Sequence, residues 1–321
     1  MALPSPQEVA FEPPRPNPAV CVGDGTTRRP ETYGHCTLVV GRGALPGGTA
    51  DMTRRLRFAV APPNSGPFGD PKAAADLAVV AERAGWDGYF SWDGLPVGHD
   101  PPPSHDPWVI LASIAAATSH IRIGTCIAVV PRYKPHLLAR TLVSLDVLSE
   151  GRLILGVGIG DGGAGFEAFG EPGDARTRAE RLDEALEIIT RLWSGQEVTY
   201  TGKHFLVDKF ALSAQPIQRP RIPIWVGGDS APALRRAARW DGWIGPDDNP
   251  VEASVAQLVK VRERLASAGA RLGSFSLAWA GSTDAKQSTQ DYADAGATWW
   301  IEVAVGTHED VRARVAAGPP R

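Results

Sequence analysis

Leu153-Ile-Leu-Gly-Val-Gly-Ile-Gly160, followed at once by Asp161-Gly-Gly-Ala-Gly165, is the stretch that decides how the rest of the chain is read. Its first half is a short apolar run, which reads as a strand buried on both faces, as in a parallel sheet with helices outside. Its second half is glycine, which lets another molecule approach the backbone where a side chain would collide. A glycine-lined strand end carrying one carboxylate, Asp161, is a place to hold a flat cofactor; a tight strand-to-loop turn is the competing reading.

Outward from this stretch the pattern alternates. Leu56-Arg-Phe-Ala-Val60 reads as a strand with Leu56, Phe58 and Val60 on one face, and a helix runs from Pro71 to Gly85. Gly88 to Asp93 is a second strand, and Asp106 caps the next helix with Pro107 at its first position. The strand Ile121 to Val130 and a helix from Pro135 follow, and the opening stretch is strand four, with its helix at Arg176 to Trp193. The alternation pauses at Glu197 to Val207, where Thr201-Gly202 between β-rich runs predicts a hairpin. Strand five, Ile222 to Val226, and three further β-then-α pairs bring the total to about eight, the number that closes a (β/α)₈ TIM barrel, here with a hairpin inserted between strands 4 and 5. An open doubly wound sheet is the rival.

With 43% hydrophobic and 21% charged residues, the 321-residue chain has the composition of a globular enzyme and room for one such barrel. A net charge of -3 favours neither nucleic acid nor an acidic membrane surface, and no apolar run approaches the roughly 20 residues of a membrane span. Cys21, Cys36 and Cys126 have no metal-ligand spacing and cannot all pair, which suits a reducing cytoplasm. Residues 1–51 are rich in proline and glycine without a sustained period; they are expected to be disordered, with Met52 as the natural start and 52–321 as the barrel.

Barrel chemistry sits at the C-terminal ends of the strands. Asp93, ending strand two, could hydrogen-bond a cofactor or move a proton, or could simply cap its loop. Histidine as a residue type suits acid-base chemistry near neutral pH, so His99 and His105 in the following proline-rich loop are candidate acids or bases, with solvated side chains as the alternative. Cys126 is a nucleophile or, more commonly, a small buried hydrophobe, and His136 a capping or packing residue. Gly227-Gly-Asp-Ser230, with Gly228 and Asp229 at a helix start, favours a phosphate over ordinary capping. Arg176 and Arg178 could assist or form surface ion pairs. In Thr298-Trp-Trp-Ile-Glu-Val303 the alternation is expected to turn Trp299, Ile301 and Val303 to the outer helices, and Trp300 and Glu302 inward, with Arg57 as a candidate partner for Glu302.

From about Leu56 to the C-terminus the chain resembles the luciferase-like flavin-dependent oxidoreductases, a group that includes bacterial luciferase-type monooxygenases and enzymes using the deazaflavin coenzyme F420. The resemblance rests on Ala84-Gly-Trp-Asp-Gly88, Asp106-Pro-Trp-Val-Ile-Leu111, Ser119-His-Ile-Arg-Ile-Gly124, Ser149 to Gly158, Phe169-Gly-Glu171, Leu192-Trp-Ser-Gly195 and Ile222 to Gly228. It implies a barrel with the flavin-type ring in its mouth and a non-prolyl cis peptide at Cys126-Ile127 behind that ring. Asp93, Ile159, Gly160 and Asp161 would line the ring, with Gly227 to Ser230 and Arg178 at the phosphate. Two departures matter: Gly94 stands where many relatives carry a histidine, so that His99 or His105 is expected in its role, and Ile159 stands where luciferase-type relatives carry arginine, which favours F420 over FMN. The expected activity is hydride exchange with a small organic substrate by a homo-oligomer. The alternatives are an FMN-dependent, oxygen-using monooxygenase served by a separate flavin reductase, and an inactive barrel serving as a binding or scaffold protein.

Overall fold

The protein, seen in a computed structural model, is described over residues 55–96, 100–162, 164–245, 254–283 and 287–320. All of these belong to the unit Met52–Arg321, so the expectation of disorder in residues 1–51 lies outside the described residues. Strand β1 (Arg57–Val60) leads to helix α1 (Pro71–Arg83), and β2 (Gly88–Ser91) to α2 (Pro107–Ala117). β3 (Arg122–Thr125) and its short continuation β4 (Ala128–Val129) lead to α3 (Pro135–Leu148), and β5 (Leu153–Gly158) to the short α4 (Ala164–Glu167) and the long α5 (Ala175–Leu192). After the hairpin β6 (Val198–Thr201) and β7 (Leu206–Phe210) come β8 (Ile224–Gly227), α6 (Ala231–Ala237), β9 (Gly242–Gly245) and α7 (Val255–Ser267). β10 (Ser276–Gly281), α8 (Thr289–Asp294), β11 (Trp299–Glu302) and α9 (His308–Ala316) complete the order.

The main sheet runs β3-β2-β1-β11-β10-β9-β8-β5-β4, and β3 also pairs with β5, which closes it into a parallel barrel with helices between successive strands. The hairpin β6–β7 is a separate antiparallel sheet inserted between the fourth and fifth barrel strands, as the Thr201-Gly202 signal predicts. The carboxylates of Asp70 and Asp106 each accept two backbone N–H groups in the first turns of α1 and α2, with proline next in sequence. These caps satisfy donors that a helix start otherwise leaves unpaired.

Inside the barrel Phe90, Trp225 and Trp299 pack with ring centroids 5.5–6.1 Å apart. Such rings fit only because adjacent strands carry glycine opposite them: a Cβ on Gly124 would lie 2.7 Å from Phe90, and one on Gly242 would lie 2.5 Å from Trp225. This corrects the expected facing of β11, because Trp299 and Ile301 point inward with Ala59, Ile154, Ile244 and Ala278. Trp300 and Glu302 instead meet the helix layer, where Trp300 packs on Tyr292 of α8. Glu302 is fully buried there and accepts from Trp300 Nε1, Thr283 N and Arg314 of α9, so its partner is Arg314 rather than Arg57. Alternation cannot choose the inner face when a parallel strand is apolar on both sides.

Candidate active site

At the C-terminal ends of the strands, the third strand breaks between Thr125 and Ala128 at a cis peptide joining Cys126 and Ile127. The glycines of β5 are shaped to this break: a Cβ on Gly156 would overlap the carbonyl oxygen of Thr125, and one on Gly158 would overlap Ile127 Cδ1. The group that approaches these two glycines is therefore the neighbouring strand and not another molecule, which corrects the reading of Gly156 and Gly158 as an open floor. Farther out, Gly160 has φ +75° and faces Val129, so glycine there serves both a left-handed turn and close packing.

Asp93 sits at the centre of this rim. It is 7% exposed, and its Oδ2 accepts Val129 N at 2.8 Å while Oδ1 lies 3.5 Å from Arg132 Nη1. The Tyr133 hydroxyl also bonds to it. Burial raises the Asp93 carboxyl above the usual carboxylate range and outweighs the opposing Val129 N–H and Arg132 charge. The neighbouring Tyr133 phenol is pushed up as well, first by burial and then by Asp93 itself.

Two guanidiniums flank the buried ring of Phe166, that of Arg132 5.9 Å and that of Arg178 5.5 Å from its centroid. Arg178 is buried, and its bonds go to the backbone carbonyls of Ile159, Gly160 and Gly173. It is thus a clasp on the loop after β5 and not the surface ion pair considered above. Arg132 Nε is buried with no hydrogen-bond partner among the described residues, an uncommon state for a buried donor and one that a bound polar group would relieve.

The structure brings Asp93, Cys126, Ile127, Ile159, Gly160 and Arg178 to one rim, with Gly227 beside Ile127. Asp161 is exposed next to Gly160. Gly228 gives its carbonyl to Trp243 Nε1, Asp229 is half-buried, and the Ser230 hydroxyl accepts from Ala233 N as the N-cap of α6. His105 is exposed and joins the rim only through its backbone, which bonds to Asn64, and His99 lies outside the described residues. His136 opens α3.

Asn64, Arg132, Tyr133 and Phe166 carry much of this geometry and have no signal in the sequence, because their partners come from distant segments. Asn64 is buried and its carboxamide chelates both backbone groups of Gly94, leaving a Cβ at that position only 3.0 Å from Asn64 Oδ1. Glycine at 94 therefore has a packing cause. The residues present fit a planar redox ring: half-buried Ile127 and Ile159 offer an apolar face, and Asp93 with Arg132 a polar edge.

Residues 56–318 match the model of the luciferase-like monooxygenase family. The chain belongs to this family. Among relatives of this luciferase-like protein, an F420-dependent glucose-6-phosphate dehydrogenase of Microbacterium testaceum is 36% identical over 192 residues, 59% of this chain and 55% of that one. An FMNH(2)-dependent dimethylsulfone monooxygenase of Pseudomonas putida is 28% identical over 194 residues, 60% of this chain and 53% of that one. The luciferase-like chain thus spans little more than half the length of these curated relatives. The crystal structure of a monooxygenase from Streptomyces bottropensis superposes with a TM-score of 0.66 at 19% identity, covering 81% of this chain and 96% of that one, and so shares the fold. Among the described residues no helix is long and apolar enough to cross a membrane, and no His, Cys, Asp and Glu cluster could hold a metal.

Proposed function

We propose that the chain is an F420-dependent oxidoreductase that exchanges a hydride between the deazaflavin and a small organic substrate in the barrel mouth. The observation that carries this reading is Asp93, a buried carboxylate with a raised pKa at the rim of a family barrel, beside an apolar face and an unsatisfied Arg132 Nε. When bound, the deazaflavin supplies the hydride-carrying carbon. The chain's own part is to seat the ring against Cys126, Ile127, Ile159 and Gly160, and to hold Asp93 at its edge. Asp161 lines the rim, and Gly227 to Ser230 face the phosphate. The carbonyl bonds of Arg178 keep the loop after β5 in place. The FMNH(2)-dependent relative supports a second reading, an oxygen-using monooxygenase supplied by a reductase.

Turnover measured with and without oxygen separates the two readings. On a panel of alcohols and sugar phosphates with F420 as acceptor, equal rates under nitrogen and air are expected, whereas turnover only when FMNH2 and oxygen are supplied in place of F420 supports the FMN reading. In the same assay His99→Ala and His105→Ala are each compared with the wild type. A loss of about a hundredfold in one of them identifies the proton-transfer group, and unchanged rates in both remove histidine from the reaction. We place the protein in the cytoplasm, on its three cysteines that cannot all pair, and propose that it self-associates through α2 and α3, where Val109 and Leu137 remain 55% and 48% exposed. Light scattering should report a dimer or larger; a monomer contradicts this contact.

A further inference from the structure

The end of the barrel opposite Asp93 holds a cavity. Of about 330 Å³, it is lined by Arg55, Arg57, Asp87, Ser276, Thr298 and Trp299, which open or precede β1, β2, β10 and β11. That volume lies within the range of small-molecule sites. Arg57 lies with its guanidinium 5.4 Å from the centre of the Trp299 indole, and among the described residues no carboxylate pairs with it. The lining's single carboxylate is already engaged, because Asp87 accepts Phe58 N at 2.9 Å and contacts Arg55 Nη2 at 3.4 Å. The Ser276 hydroxyl has no partner among the described residues. Behind the cavity stands Arg122, which bonds to Gly151 O and Gln218 Oε1 and, among the described residues, to no carboxylate. Burial, and then the charge of Arg57, hold its guanidinium below the ordinary arginine range against the opposing charge of Asp146. The concavity therefore carries one guanidinium, that of Arg57, without a carboxylate partner among the described residues, next to a spare hydroxyl.

We propose that this cavity is a second ligand site, one for a phosphate or the phosphate of a small monoester, distinct from the mouth where the redox chemistry is placed. The Arg57 guanidinium presents an N–H fork suited to an oxyanion, the exposed Arg55 turns to the same anion from its 3.4 Å contact with Asp87, and Ser276 adds an O–H donor. A ligand held there bridges the starts of strands far apart in sequence, so its binding stabilises the closed barrel by mass action.

Isothermal titration of the full chain with inorganic phosphate, at ionic strength held constant with sodium chloride, tests the site, with thermal unfolding as a parallel readout. Saturable binding and a phosphate-dependent rise in Tm are expected. Arg57→Gln should weaken the binding by about tenfold or more, and Arg55→Gln by a smaller factor, as expected for loss of charge-assisted hydrogen bonds. Both arginines are exposed, so both variants should fold. Phosphate binding to Arg57→Gln with wild-type affinity would mean that the anion sits elsewhere, the mouth included, and overturns the proposal; so does the absence of saturable binding to the wild type.

Discussion

Asp93→Asn is expected to lower turnover by about a hundredfold or more while leaving the protein at least as heat-stable as the wild type. The two halves of this result have one cause. Burial raises the Asp93 carboxyl, so its charged form is held in the fold at a cost, one that the Val129 N–H and Arg132 only partly offset. The sign for stability follows by linkage. A carboxyl whose pKa is raised on folding contributes stability that is full below its unfolded value near the ordinary range and is lost as pH rises through its raised value. Asparagine removes the charge but keeps one oxygen for Val129 N, so the variant should lack that acid-side contribution, while at neutral pH release of the buried charge offsets the lost Arg132 contact. Turnover depends on the charge or the proton that asparagine cannot supply. Wild-type turnover in Asp93→Asn would reduce Asp93 to a clamp between the second and third strands, and a variant that melts early would contradict the account of its burial.

Arg152→Ala should destabilise the barrel by on the order of 3–5 kcal/mol, as expected when several buried acceptors lose one shared charged donor. Arg152 is 9% exposed, and Nε, Nη1 and Nη2 donate to Ser149 O, Thr118 Oγ1, Ile121 O, Ala115 O and Thr118 O at 2.7–3.0 Å. Three of those acceptors, Ala115 O and both oxygens of Thr118, lie at the C-terminal end of α2, where the helix dipole favours a cation. Removing the side chain leaves buried acceptors without donors and unties α2 from the turn before β5. Arg152→Lys should recover only part of the loss, since one ammonium cannot reach acceptors spread around a planar fork. Thermal unfolding should place Arg152→Ala about 10 °C below the wild type; a difference of about a degree would show that the network is dispensable.

The Ser149 to Gly158 motif shows how much of this was legible in the sequence. Its apolar run and its place in the alternation located a central barrel strand, and the same pattern counted the units, placed the hairpin and marked the cap at Asp106, whereas the cap at Asp70 came only with the structure. Periodicity and capping are local, so they survive in one sequence. What Arg152, Gly156 and Gly158 are for was not legible, because their partners, α2 and the break at Cys126-Ile127, lie on other segments. The facing of β11 failed for a related reason: which of two tryptophans enters the barrel is decided by the glycines and alanines of neighbouring strands. At the rim, Asp93 was legible as a strand-end carboxylate. Its partners Arg132 and Tyr133 were not, since only the closed barrel brings them together.

Titration of the purified chain with oxidised F420 and, separately, with FMN, followed by the absorbance and fluorescence of each chromophore, tests the proposed function most directly. Saturable binding of the deazaflavin with little or no binding of FMN is the predicted result. Tight FMN binding without deazaflavin binding, or binding of neither by a chain whose circular dichroism is that of a folded barrel, would contradict it.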